Sequence, residues 1–203
     1  MSLFSKLFGS KSKKTEEEIK SEDRGKYMPE IKLPIDEKFT INFKENGGKF
    51  LYCENLDEIF QTLDYIIEEN SWEDKKILIL ENELKKRFAS SSLNIAKPND
   101  NDATYFLTSC ESLIADDGSL LICSKQIAEK KLVDLPSNFI VFSTTSQIVG
   151  SISEGLRNIK TKNTQRIPSN ITTIKHFKLE EEKNFMTYGS NSKNLYLLLL
   201  EDL

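Results

Sequence analysis

Between Tyr105 and Ser124 the chain reads YFLTSCESLIADDGSLLICS, two apolar runs around an Asp-Asp-Gly turn. Few folds accommodate such a stretch. Asp-Gly between apolar runs is a strong local signal for chain reversal, and apolar runs without polar alternation suit strands covered on both faces. The predicted order is a strand through Phe106 and Leu107, a turn of helix after Thr108–Glu111, a turn at Asp116–Gly118, and a second strand over Leu120–Cys123. Doubly covered strands need helices on both sides, which the rest of the chain must supply.

Those helices and further strands are present as periodic segments. Asn55 precedes Leu56–Glu69, where Ile59, Phe60, Leu63, Ile66 and Ile67 recur on one helical face. Lys76–Leu80 reads as a strand, Glu81–Phe88 as a short helix, Ser92–Ala96 as a strand and 98–102 as a loop. Gln126–Leu135 reads as a helix, Asn138–Ser143 as a buried strand, and Thr144–Ile159 as a helix with Ile148, Ile152 and Leu156 inward. Thr172–Phe177 and Leu195–Leu200 close the series. Upstream, FTINFK and KFLYCE flank Glu45–Gly48 and alternate as a β-hairpin. The fold class that results is α/β, a mostly parallel sheet flanked by helices, with an N-terminal β-hairpin.

At 203 residues the chain suits one such domain, expected over 27–203, behind a tail at 1–26. In the tail, Leu3, Phe4, Leu7 and Phe8 fall at helical spacing ahead of Lys11, Lys13 and Lys14. Two readings of residues 1–14 stand: a weak membrane-surface or partner-docking segment, or a frayed terminus. Ser2 stands where N-myristoylation needs glycine. The longest C-terminal apolar run, LYLLLL, is far below the roughly 18 residues of a membrane span. A net charge of −4 argues against a general nucleic-acid binder.

Cys53, Cys110 and Cys123 form no CxxC pair, and with a single histidine, His176, they make a poor metal set. No metal or other cofactor is expected, and reduced thiols in a cytoplasmic setting are the reading of the cysteines. Gly47–Lys49 lacks phosphate-loop spacing, and no strand is followed by GxGxxG.

In open α/β sheets ligands gather beyond the carboxyl ends of strands. That rule selects Thr108–Glu111, Thr144–Ser146 and Lys175–His176. Cys110 with His176 would form a nucleophile and base, whereas Cys110 alone suits core packing. Asp116 and Asp117 either present paired carboxylates or build the turn with Gly118 and Ser119. The candidate pocket is therefore Glu111, Asp116, Asp117, Gly118, Ser119, Lys175 and His176.

The run CESLIADDGSLLICS, then LPSNFIVFSTTSQIV and LYLLLLEDL, resembles the LUD family, lactate-utilisation protein C type. Ile114–Ser119 stand at the family's Ile-Ala-Glu-Thr-Gly-Thr turn, Leu135, Pro136 and Phe139–Phe142 at its next block, and Leu195–Asp202 at its closing strand. The resemblance implies the fold of ribose-phosphate isomerase, glucosamine-phosphate isomerase and CoA-transferase domains. It also implies an accessory or ligand-binding protein of lactate or related organic-acid metabolism, beside iron-sulfur partner subunits. A stand-alone enzyme on a small phosphorylated or CoA-linked substrate is the second reading, and an interaction protein docking through residues 1–14 the third. The chain departs from the family where a glycine- and serine-rich loop is usual: ITTIKHFKLEEE stands there, and YGSNSKN, Tyr188–Asn194, replaces a following His-Gly-Pro turn.

Overall fold

The computed structural model describes residues 33–97, 100, 102–128, 130–177 and 193–203. The patch at 1–14, the domain start expected near residue 27, part of the loop at 98–102 and most of Tyr188–Asn194 lie outside the described residues. Residues Pro34–Leu203 cluster as one unit.

Five strands make a parallel sheet in the order β1-β9-β6-β3-β2: Lys49–Cys53 (β1), Asn194–Leu200 (β9), Asn138–Thr144 (β6), Tyr105–Ser109 (β3) and Ile77–Leu78 (β2). Parallel neighbours cannot be joined by tight turns, so each connection crosses a face of the sheet. The first crossing is helix α2, Leu56–Glu69. Its N-cap Asn55 accepts from the Glu58 amide at 3.0 Å, while the Glu58 carboxylate accepts from the Glu54 amide at 2.8 Å. The apolar face of α2, Ile59, Leu63, Ile66 and Ile67, packs into a core with Tyr105, Leu107, Ile140, Phe142, Tyr196 and Leu198. Alternation along β3, β6 and β9 sends Phe106, Phe139, Leu195 and Leu197 to the other face, where they are also buried. The continuous apolar runs of these strands follow from that double cover.

A second sheet, ordered β7-β4-β5-β8, forms around the Asp-Gly turn: Ser112–Ile114 (β4), Ser119–Ile122 (β5), Ile148–Val149 (β7) and Thr172–Ile174 (β8). β4 and β5 are an antiparallel hairpin, so the turn of helix expected after Glu111 is instead a strand. Cys110 and Glu111 join two strands and head no helix.

The expected N-terminal β-hairpin is corrected. Ile35–Glu45 is a helix, α1, and β1 pairs with β9 rather than with its predecessor. Phe39, Ile41 and Phe43 satisfy a period of two, but Phe39 and Phe43 are also four apart on one helical face. Both are fully buried and Ile41 is exposed. Phe43 meets Phe50 and Phe177, at 6.4 and 5.0 Å between ring centroids. Asp36 and Glu37 in the first turn and Lys44 in the last suit the helix dipole. The glycines close this helix: Gly47 takes a φ of 88°, and the Gly47 and Gly48 amides donate to Lys44 and Phe43 carbonyls.

Smaller corrections share a cause, since local period does not say which face will meet a partner. Ser92–Ala96 contributes one bridge, Ile95 with Ile77. The helix expected over Gln126–Leu135 contracts to Ser124–Ile127 (α4) and a short 3-10 turn at Leu132–Asp134. Thr144–Ile159 divides into a 3-10 turn, β7 and helix α5, Ile152–Lys162. Ile152 and Leu156 face solvent. Gly155 and Ile159 point inward instead, because a Cβ on Gly155 would sit 2.9 Å from Leu121 in the hairpin beneath.

Candidate functional site

The carboxyl ends of the parallel strands collect a continuous polar network. Between Leu78 at the end of β2 and helix α3, Asn82–Arg87, lies Glu81. Its carboxylate accepts from Thr108 Oγ1 at 2.9 Å, from the Ser109 amide at 2.7 Å and from Ser109 Oγ at 2.5 Å. Gln126 Nε2, from α4, lies 3.4 Å from Ser109 Oγ and 3.2 Å from Glu111 Oε1. Glu111 also accepts from Cys123 Sγ at 3.2 Å, with Lys125 Nζ at 3.9 Å. Two carboxylates are thus held at the end of β3 by hydroxyl, amide and thiol donors.

Burial pushes the Glu81 carboxyl above its ordinary value, outweighing the Ser109 and Thr108 bonds, and the nearby Glu111 charge adds to the rise. A proton is therefore easier to keep on Glu81 than on an ordinary surface carboxylate. Burial also pushes the Cys123 thiol up to about 11 and the Cys110 thiol up to about 12. Cys110 Sγ sits 3.4 Å from Ser143 Oγ, and its carbonyl accepts from Gln147 Nε2 at 2.6 Å. A fully buried thiol of this kind is a packing group rather than a thiolate nucleophile.

The next strand ends extend the network. The Asp202 carboxylate accepts from Thr145 Oγ1, the Ser146 amide and Ser146 Oγ at 2.9, 2.8 and 2.7 Å. Burial opposes ionisation there, but these bonds prevail and hold its carboxyl below the ordinary range. Tyr52 donates to Glu201, which also accepts from Thr145 Oγ1.

The hairpin separates the predicted pocket into two places. Ile114 pairs with Ser119 at the turn end, and Ser112 with Leu121 at the open end. Glu111 lies beyond the open end, its amide donating to the Leu121 carbonyl at 2.8 Å. Asp116, Asp117, Gly118 and Ser119 form the turn, docked on α1. Asn42 Nδ2 donates to the Ala115 carbonyl at 2.7 Å, Asn46 Nδ2 to the Asp117 carbonyl at 2.7 Å, and Lys38 pairs with Asp116 at 2.7 Å. Asp117 Oδ1 accepts from the Ser119 amide and hydroxyl at 3.1 and 2.6 Å, and Lys175 Nζ is 3.6 Å from Asp117 Oδ2. Burial alone would raise the Asp117 carboxyl, yet the Ser119 bonds and the Lys175 charge hold it below its ordinary value. His176 is exposed and follows β8, whose Ile174 pairs with Leu120, so it too lies towards the turn end. The structure brings Asp116–Ser119 and Lys175 together and leaves Glu111 with Glu81, Ser109, Cys123 and Gln126.

Glu81 and Gln126 were not among the predicted residues. The strand-end rule that selected Glu111 applies equally to Glu81, which directly follows the apolar run Ile77–Leu80. It is passed over when it is read as the first residue of a helix. Gln126 carries no comparable signal, because its role depends on the α4 backbone placing it over β3.

Comparison with known proteins gives three results. No curated protein matches the chain. The crystal structure of a DUF162 family protein from Deinococcus radiodurans superposes with a TM-score of 0.60 at 12% identity, covering 84% of this chain and all of that one. At that identity the likeness shows the fold. The LUD domain family matches residues 37–200, from within α1 to the last residue of β9. The chain belongs to the LUD-domain family.

Proposed function

We propose that this chain is a ligand-binding or accessory protein of lactate or related organic-acid metabolism, and that its ligand meets Glu111 and Glu81 beyond β3. The observation that carries the reading is the carboxylate pair held by Ser109 and Gln126 at the carboxyl edge of the parallel sheet. A hydroxy acid offers a hydroxyl and a carboxylate. The hydroxyl suits Glu111 as acceptor, and the carboxylate suits the Lys125 ammonium beside it. Family membership supplies the link to lactate utilisation, and iron-sulfur subunits are the partners it suggests.

The second reading, an enzyme on a small phosphorylated or CoA-linked substrate, draws on the same pair. One carboxyl biased towards protonation beside another is the equipment of an acid–base couple. Calorimetric titration of the purified chain with L-lactate, ribose 5-phosphate and acetyl-CoA separates the two. Saturable lactate binding, weakened about tenfold or more in a folded Glu111→Gln variant, is the expected result. Turnover of either of the other compounds would favour the enzyme. If Glu111→Gln and Glu81→Gln both bind a confirmed ligand like the parent, the ligand lies elsewhere.

A further inference from the structure

Arg87 closes helix α3 and lies over the ring of Phe142, its guanidinium carbon 4.8 Å from the ring centroid. Phe142 pairs in register with Ser109, the residue whose amide and hydroxyl hold Glu81. In-register residues of neighbouring strands point to the same face about 5 Å apart, so Arg87 stands beside the carboxylate network rather than on a remote surface. Lys85, Lys86 and Arg87 together suit the negative end of the α3 dipole, but of the three only Arg87 is seated on a ring.

Four carboxylates share this edge of the sheet, and Arg87 pairs with none of them. Glu81, Glu111, Glu201 and Asp202 take bonds from hydroxyl, amide and thiol groups around them. Arg87 makes no ion pair or hydrogen bond among the described residues. Packing on the ring restrains the side chain before any ligand arrives and leaves its five N–H donors unused. A planar guanidinium so held is matched by a group with two oxygens, a carboxylate or a phosphate.

The reading above gives a hydroxy acid one cation, Lys125, for its one carboxylate. Arg87 is a second cation at the same edge. Resting on that reading, we propose that the ligand is a hydroxy acid carrying a second anionic group, a carboxylate or a phosphate ester, where lactate has its methyl hydrogens, and that Arg87 binds this group and so determines specificity.

Malate and 3-phosphoglycerate are lactate extended at the methyl carbon by a carboxylate and by a phosphate ester. The full chain is titrated calorimetrically with the L isomers of all three at matched ionic strength. At least one dianion is expected to bind about tenfold or more tightly than lactate, and which one does so names the second group. In Arg87→Gln the ratio of dianion to lactate affinity should fall to near one. Lys86→Gln, one residue earlier and off the ring, should keep the parent's ratio. Both positions are exposed, so neither change disturbs the core. Lactate binding that responds to Glu111→Gln, with neither dianion tighter, overturns this inference and leaves the reading beneath it standing. A dianion preference that survives Arg87→Gln, or that falls equally in Lys86→Gln, overturns it as well. No saturable binding of any of the three overturns both.

Discussion

Replacing Gly118 with alanine tests how the Asp-Gly turn is held, because two separate costs meet at that atom. Gly118 has a φ of 68°, a left-handed conformation that costs an L-residue about 1 kcal/mol. A Cβ there would also lie 2.4 Å from the Asn42 carbonyl carbon and the Phe43 nitrogen, and 2.6 Å from the Asn42 oxygen. These are backbone atoms of α1 and cannot rotate aside. Either the turn lifts, lengthening the Asn42 and Asn46 bonds to the Ala115 and Asp117 carbonyls, or α1 shifts against Phe50 and Phe177. Overpacking of this kind typically costs about 1–3 kcal/mol. Together the two terms predict a loss of about 2–4 kcal/mol, or roughly 4–16 °C in Tm for a domain of this size. Urea denaturation with a thermal melt measures it. Gly118→Asn separates the terms, since asparagine tolerates a left-handed φ but still carries a Cβ. A loss below about 1 kcal/mol for alanine, or near-parental stability for asparagine, would refute the close docking of the turn on α1.

The Asp116–Lys38 pair is exposed on both sides, so Asp116→Asn should change stability by less than about 0.5 kcal/mol, and a larger loss in urea denaturation would show a structural role for the charge. Glu81 gives a pH dependence of definite sign. Its carboxyl is raised above the ordinary value of 4.5, so the folded chain holds this proton more tightly than the unfolded one. Stability from this group is therefore fully present below pH 4.5 and is lost as pH rises through the raised value. Glu81→Gln should flatten that part of the stability profile, and a variant with the parent's slope would show that Glu81 is not its source.

The sheet core and the second helix were legible because their signals are local. β3, β6 and β9 are apolar on both faces, and α2 repeats its apolar residues every three or four positions after a capping asparagine. The Asp-Gly turn was legible too, since Gly118 needs its left-handed φ whatever lies around it. The resemblance to the family is carried by C-terminal segments, and the match that shows membership runs over residues 37–200, from within α1 onward.

Other choices were made only by the tertiary structure. Phe39-Thr40-Ile41-Asn42-Phe43 fits a strand and a helix equally in one dimension. The helix prevails because it buries Phe39 and Phe43 together and turns Asn42 and Asn46 towards the carbonyls of a turn more than seventy residues away. The candidate site divides in the same manner. Sequence position alone picked out Glu111, but its grouping with Glu81, Ser109 and Gln126 depends on β2 and β3 lying side by side and on α4 placing Gln126 at the end of β3. Local chemistry specifies which residues can form strands, helices and turns; which of them share a site depends on strand order, which long-range packing decides.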